Sequence, residues 1–423
     1  MKQAISVLCA TWCSVAISSA YAALGDPLPG LTADQLDQFN EGLTEFTNLD
    51  CTDEGLGPVF TGPTPPVDCP TGDGPAMSCA TCHDRNAAGG GSTLGMVETR
   101  YGRIDDQGVF DPMLEWGGSL RKHNGIGAVH DIPGHPECDG YEFGGEVVPD
   151  PATVTAQRRS LPLFGLTYLN HVSDLEFRSI AALERIFTPE TAGRVALVTD
   201  PLTGHIVVGK FGWKAQVPSL EVFAGDAYVN EMGITNSIFP DENCSALQDC
   251  HSDCNPDQNQ PNDRPDPTTG VTNIEKFQDF LRFLDIYPQA LHEPDHEGLE
   301  LFGRTGCADC HLPALVTKPN LEIPALNFRR FYAFTDGLLH DMGPSGDGIA
   351  QGAAARFEMR TAPLMGLSTQ QVNGQFSLFH DGQSNSLEDA ILRHDGQGHR
   401  SAMNFAGLPP TERAALIQFL NSI

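Results

Sequence analysis

Two pentapeptides carry the most specific chemistry in this sequence: Cys79-Ala80-Thr81-Cys82-His83 and Cys307-Ala308-Asp309-Cys310-His311. Both read C-x-x-C-H, the pattern of covalent c-type haem attachment. The spacing has a physical reason. Two thiols one helical turn apart reach the two vinyl groups of a porphyrin, and the adjacent imidazole turns onto the iron. With 12 cysteines and 14 histidines in 423 residues, chance supplies about 0.01 such motifs, so two are not accidental. A redox dithiol or half a zinc site competes with this chemistry, but zinc would need a second Cys or His pair at finger spacing. None follows. Two covalent haems are expected, one on Cys79, Cys82 and His83, the other on Cys307, Cys310 and His311.

The elements that must position these motifs repeat. Glu41-Gly42-Leu43 precedes the first motif and Glu297-Gly298-Leu299 the second, each in an apolar-periodic helix. Downstream, Arg159-Ser-Leu-Pro-Leu-Phe-Gly-Leu166 matches Arg360-Thr-Ala-Pro-Leu-Met-Gly-Leu367. Trp213 then stands seven residues before Leu220-Glu221, and His380 seven before Leu387-Glu388. Four matches in one order predict a mainly α fold of two cytochrome-c-like haem lobes with long loop insertions. The lobes are placed at 23–255 and 256–423. The join lies in Asp241–Gly270, which is rich in Asp, Asn, Pro and Cys and has no apolar period. Thr272-Asn-Ile-Glu275 is a capping box opening a helix with Ile274, Phe277, Leu281 and Leu284 on one face. A last helix is expected from about Thr411 to Leu420. The insertions, chiefly Ala87–Pro151, are read as loops around the haem edges.

Composition bounds the partners. Lys and Arg number 25 against 55 Asp and Glu, a net charge of −30, which argues against a nucleic-acid partner because like charge repels phosphate. Lys2, the apolar run Ala4–Ile17 and Ala20-Tyr21-Ala22 read as a cleavable signal peptide over 1–22. That run is too short for a membrane anchor. A soluble, acidic, periplasmic product is expected, with Cys9 and Cys13 discarded. Beyond the haem motifs six cysteines remain: Cys51, Cys69, Cys138, Cys244, Cys250 and Cys254. An even number is compatible with three disulfides of unassigned pairing.

The repeat also exposes an asymmetry. His394 lies 14 residues after His380, and the same step from Trp213 reaches Ala227. If that position faces the distal side of the iron, the second haem gains a histidine ligand and the first only a methyl group. Glu231, four residues on, would face the same way in a helix, where a carboxylate could shuttle a proton between peroxide oxygens. Trp213 is a candidate relay between the haems. His340 and Met342 are rival ligands for the second iron, His380 reads as part of a turn, and His123, His130, His135 and His171 are open alternatives at the first.

From roughly Leu31 to Ile423 the chain resembles the bacterial di-haem cytochrome c peroxidase and MauG superfamily, most closely its branch of di-haem oxidoreductases. The resemblance rests on Glu54-Gly-Leu-Gly-Pro58, Phe211-Gly-Trp213-Lys-Ala215, Glu231-Met-Gly-Ile-Thr235, Leu338-Leu-His-Asp-Met-Gly-Pro344, Phe379-His-Asp-Gly382 and Ala390-Ile-Leu-Arg-His394. It implies a peroxidatic N-terminal haem and an electron-transferring C-terminal haem. Trp213 falls at the inter-haem tryptophan and Glu231 at the acid of the peroxide pocket. It also implies one calcium ion between the haems, although no clean acidic motif marks a site. Two departures stand out. His394 replaces the methionine of the peroxidases and the tyrosine of MauG, and a second histidine lowers a haem's potential where methionine raises it. Trp213-Lys-Ala-Gln216 replaces the peroxidases' Trp-Asp-Gly-Arg. The implied activity is reduction of hydrogen peroxide with electrons from a small redox protein or an exported protein substrate. The alternatives are a non-catalytic di-haem electron carrier and MauG-like oxidation of a partner protein.

Overall fold

The computed structural model describes residues 23–423 apart from 71, 73, 93–95, 246–247, 257–262, 264 and 373. The expected signal peptide, with Cys9 and Cys13, lies outside the described residues. Nine α-helices are found among them: α1 (Ala33–Thr47), α2 (Leu166–Asn170), α3 (Asp174–Phe187), α4 (Leu220–Ala227), α5 (Asn273–Phe283), α6 (His296–Arg304), α7 (Leu387–Leu392), α8 (His399–Ala406) and α9 (Pro410–Leu420). None is long and apolar enough to cross a membrane.

The repeated Glu-Gly-Leu segments act through their glycines. A Cβ on Gly42 would stand 2.2 Å from the Lys276 carbonyl oxygen, and one on Gly298 2.3 Å from the Phe419 ring. The missing side chains let α1 close on α5 and α6 on α9. Phe39 and Phe46 of α1 then meet Phe280 of α5 at ring separations of 5.6 and 4.5 Å. Helix α5, held by the Thr272/Glu275 capping box, lies beyond the Asp- and Pro-rich join yet completes the first hydrophobic core. The second core gathers Phe302, Phe334, Leu416 and Phe419. Because Gly42 faces backbone, Gly42→Ala should cost about 1–3 kcal/mol through overpacking. Thermal unfolding checks this, and an unchanged midpoint would remove the close-approach argument.

The expectation of a mainly α chain with loop insertions is corrected. The described chain is 32% helix and 16% strand, a mixed α/β architecture with many small antiparallel sheets. The largest correction falls inside Ala87–Pro151. Strand Val97–Ile104 pairs antiparallel with Val154–Arg159, Glu98 opposite Arg158 and Arg100 opposite Ala156, and adds Phe110–Asp111 and Leu120–Arg121. Val97, Thr99 and Tyr101 supply β-branched and aromatic side chains at every second position. The pairing partner lies some fifty residues away, so local reading of a Gly-rich stretch does not find it.

Three disulfides join Cys51 to Cys69, Cys138 to Cys254 and Cys244 to Cys250. Among the described residues, four cysteines are left as free thiols: Cys79, Cys82, Cys307 and Cys310.

The two repeats interlock reciprocally. The Arg159 backbone N–H donates to the His380 carbonyl and the Arg360 N–H to the Trp213 carbonyl, both at 2.8 Å. Their side chains repeat the exchange: Arg159 Nε donates to Phe379 O at 3.2 Å and Arg360 Nε to Gly212 O at 2.8 Å. Equivalent residues thus make equivalent bonds between the two repeats. This brings Trp213 and His380 together at the centre.

Candidate active site

Each C-x-x-C-H segment folds as one tight turn. His83 N–H donates to Cys79 O at 3.0 Å and His311 N–H to Cys307 O at 2.9 Å, after short 3₁₀ turns at Cys79–Thr81 and Cys307–Asp309. Both thiols and the imidazole therefore leave one short segment, as the spacing requires. Ser78 caps the first turn by accepting from the Thr81 N–H. Gly306, at φ 85°, leads into the second.

The histidine tautomers follow from their partners. Nδ1 lies 3.2 Å from the Gly90 carbonyl in His83, 3.0 Å from Phe334 O in His311 and 2.8 Å from Ala390 O in His394. A carbonyl only accepts, so Nδ1 donates and Nε2 keeps its lone pair for a metal. Burial pushes His83 and His311 down to about 4 and His394 below its ordinary value, which keeps all three neutral. His311 and His394 face each other with ring centres 6.4 Å apart. Two iron–nitrogen bonds of about 2 Å, plus the short reach from each nitrogen to its ring centre, span roughly that distance. The spacing and the four free thiols fit haem.

One cavity, with about 2340 Å³ of empty space counting its openings to solvent, is lined by His83, Trp213, Glu231, Cys307, Cys310, His311 and His394. Trp213 stands between the two ends. Its Nε1 donates to Arg159 O at 3.0 Å, and its ring meets His380 edge-on at 6.3 Å. Phe379, beside His380 in the same tight turn, contacts His394 at 5.5 Å. An aromatic path thus leads from Trp213 to the His311–His394 pair.

The His83 end differs from the Ala227 expectation. The N-caps Ser219 and Ser386 stand six residues after Trp213 and His380, so the repeats agree as far as the helix starts. Helix α4 then runs into a π turn over Tyr228–Met232, whose extra residue per turn changes which side chains face inward. Phe223, Asp226 and Glu231 line the cavity, and Ala227 is not among the lining residues. Strand Val97–Ile104 adds Glu98 and Arg100, joined by a two-bond fork at 2.8 and 3.1 Å. Burial, reinforced by Glu98, pushes the Glu231 carboxyl up to about 8, and burial pushes Asp226 up to about 6. Sequence reading missed Glu98, Arg100 and Asp226. The alternation of Val97–Ile104 was the available signal.

The rival ligands His340 and Met342 line the same cavity. His340 Nε2 lies 2.9 Å from Asp336 Oδ2 and Nδ1 3.5 Å from Cys310 Sγ, so both ring nitrogens are engaged. Burial opposes its charged form, but the Asp336 carboxylate outweighs burial and holds it well above the usual imidazole range. His130 and His135 face Asp139 and Glu137 at the surface, His171 bonds Thr167 O, and His123 Nε2 faces Thr99 Oγ1. None of these four lines the cavity. Lys214, in place of the acid after the tryptophan, is fully buried and binds Asp347 at 2.7 Å, which also takes Arg158 at 2.6 Å. Among the described residues no cluster of three carboxylates comes together that would hold calcium.

A family model described as "Di-haem oxidoreductase, putative peroxidase" matches residues 150–423, a segment that includes the second motif, Trp213, Glu231 and His394. No curated protein and no solved structure matches the chain. The first motif lies ahead of the matched segment, which covers well over half of the sequence: the chain belongs to the di-haem oxidoreductase family.

Proposed function

We propose that the protein is an exported di-haem c-type oxidoreductase that reduces hydrogen peroxide. The observation that supports this best is one cavity running between both C-x-x-C-H segments, lined by acids and an arginine at the His83 end and closed by paired histidines at the other. Cys79, Cys82 and His83 would hold one haem, and Cys307, Cys310, His311 and His394 the other; these groups would supply the electron-transfer and O–O-cleaving chemistry.

The side chains do the rest. Glu231 takes a proton at its carboxylate from the near oxygen of peroxide and returns it to the far oxygen, so that water leaves rather than hydroxide. Arg100, pinned by Glu98, offers positive charge toward the departing oxygen. Trp213, His380 and Phe379 bridge the two ends for the second oxidising equivalent. Electrons come from a small redox protein or from an oxidisable exported protein. Three disulfides favour a compartment outside the cytoplasm.

Electron paramagnetic resonance of the fully ferric holoprotein tests the reading. A high-spin signal beside a low-spin bis-histidine signal is expected, with peroxide consumed on addition. Two low-spin signals together with no peroxide consumption, even after reduction, would leave a pure electron carrier.

A further inference from the structure

Three buried arginines, Arg85, Arg159 and Arg360, meet no carboxylate among the described residues, and the last two stand at equivalent positions of the repeat. The chain has 55 acidic residues for 25 basic ones, so a carboxylate for every buried guanidinium is easily supplied. Arg158 has one in Asp347. Arg159 and Arg360 are nearly as buried, at 7% and 4% exposure, yet meet only neutral groups. Arg159 Nη1 donates to Gln370 Oε1 at 3.1 Å and Arg360 Nη1 to Thr361 O at 3.4 Å, while each Nε is spent on the opposite lobe's turn. Burial pushes both down to about 10. Burying a cation without a counter-ion is costly, and a fold that does so twice at equivalent positions has an anion to bind there.

Both side chains line the cavity. Arg159 lies two residues before Leu161, whose carbonyl bonds His83. Arg360 precedes Thr361, whose carbonyl accepts from Thr335, the neighbour of His311's partner Phe334. Each guanidinium is held by Nε and Nη1, with Nη2 left over, and its backbone lies beside the partners of one C-x-x-C-H histidine. A guanidinium fork suits a carboxylate better than any other side chain does.

We infer that Arg159 and Arg360 are positioning residues that bind the propionate carboxylates of the two haems, Arg159 at the His83 end and Arg360 at the His311 end. The inference rests on the di-haem reading above. A fixed cation beside an iron favours its reduced form, which carries one positive charge fewer. The pair therefore sets the potentials as well as the seating.

Spectroelectrochemical titration of purified holoprotein, with covalent haem content read after denaturation, tests this. Arg159→Leu should lower the reduction equilibrium constant of the His83 iron about tenfold, 59 mV for one electron, and leave the His311 iron nearly unchanged. Arg360→Leu should do the reverse, and Arg→Lys at either position should recover most of the loss. If a leucine variant does not accumulate, Arg→Gln removes the charge while keeping a donor, and the same site-selective shift is expected. Unchanged potentials, or equal shifts at both irons, would overturn the assignment. So would wild-type potentials that move on adding acetate, which would assign the guanidiniums to a free anion. Wild-type protein lacking two covalent haems would instead sink the di-haem reading itself.

Discussion

On the proposed function, Glu231→Gln should lower peroxide turnover by about 10²–10⁴-fold, the range for loss of a positioned proton-transfer group, with peroxide still reaching the His83 end. Glutamine keeps the size and a donor but cannot take the proton. The pH profile separates this from a packing effect. With burial holding the Glu231 carboxyl at about 8, the carboxylate fraction is small at neutral pH. Wild-type turnover should therefore rise with pH through about 8 and level off, whereas the Gln variant should be flat. Stability runs the other way. The folded value lies above the unfolded one of about 4.3, so the neutral carboxyl's contribution is fully present below that value. It is lost as pH rises through about 8. The Gln variant, with no charge to bury, should unfold less readily than wild type in alkali. Turnover unchanged in Glu231→Gln across the pH range would remove Glu231 from the mechanism.

His394→Ala is the second large effect. On the proposed reading it removes one of two imidazoles whose ring centres stand 6.4 Å apart. His340, which also lines the cavity, is held by Asp336 and Cys310, and Met342 is the remaining rival there. The low-spin bis-histidine signal should disappear and a second high-spin signal replace it, with covalent haem retained. His394→Met should keep a six-coordinate iron but raise its potential, since thioether ligation favours the reduced form. A His394→Ala protein that retains its low-spin spectrum would show that another residue caps the second iron.

Some of this was legible because it is local. The C-x-x-C-H turns are short-range structures whose chemistry is complete within five residues, and the Thr272/Glu275 capping box closes within four. The repeat was legible because equivalent lobes need equivalent residues. Gly42 and Gly298 both permit close helix contacts, and Arg159 and Arg360 make matching bonds. Even there the register failed part-way. Ala227 was placed by an ungapped count, but Asp226 lines the cavity in its stead, and Glu231 reaches it from the π turn over Tyr228–Met232.

The residue types and their spacing, taken alone, determined the two C-x-x-C-H segments, the duplication and the family. Tertiary structure decided what surrounds them. The strand Val97–Ile104 enters the cavity only because it pairs with Val154–Arg159, a contact that no local pattern specifies. The Arg159 and Arg360 guanidiniums acquire meaning only once burial has removed them from water and denied them a carboxylate. Hydrogen-bond spacing and apolar period are written along the chain. Desolvation and charge pairing depend on which distant residues arrive at the same place.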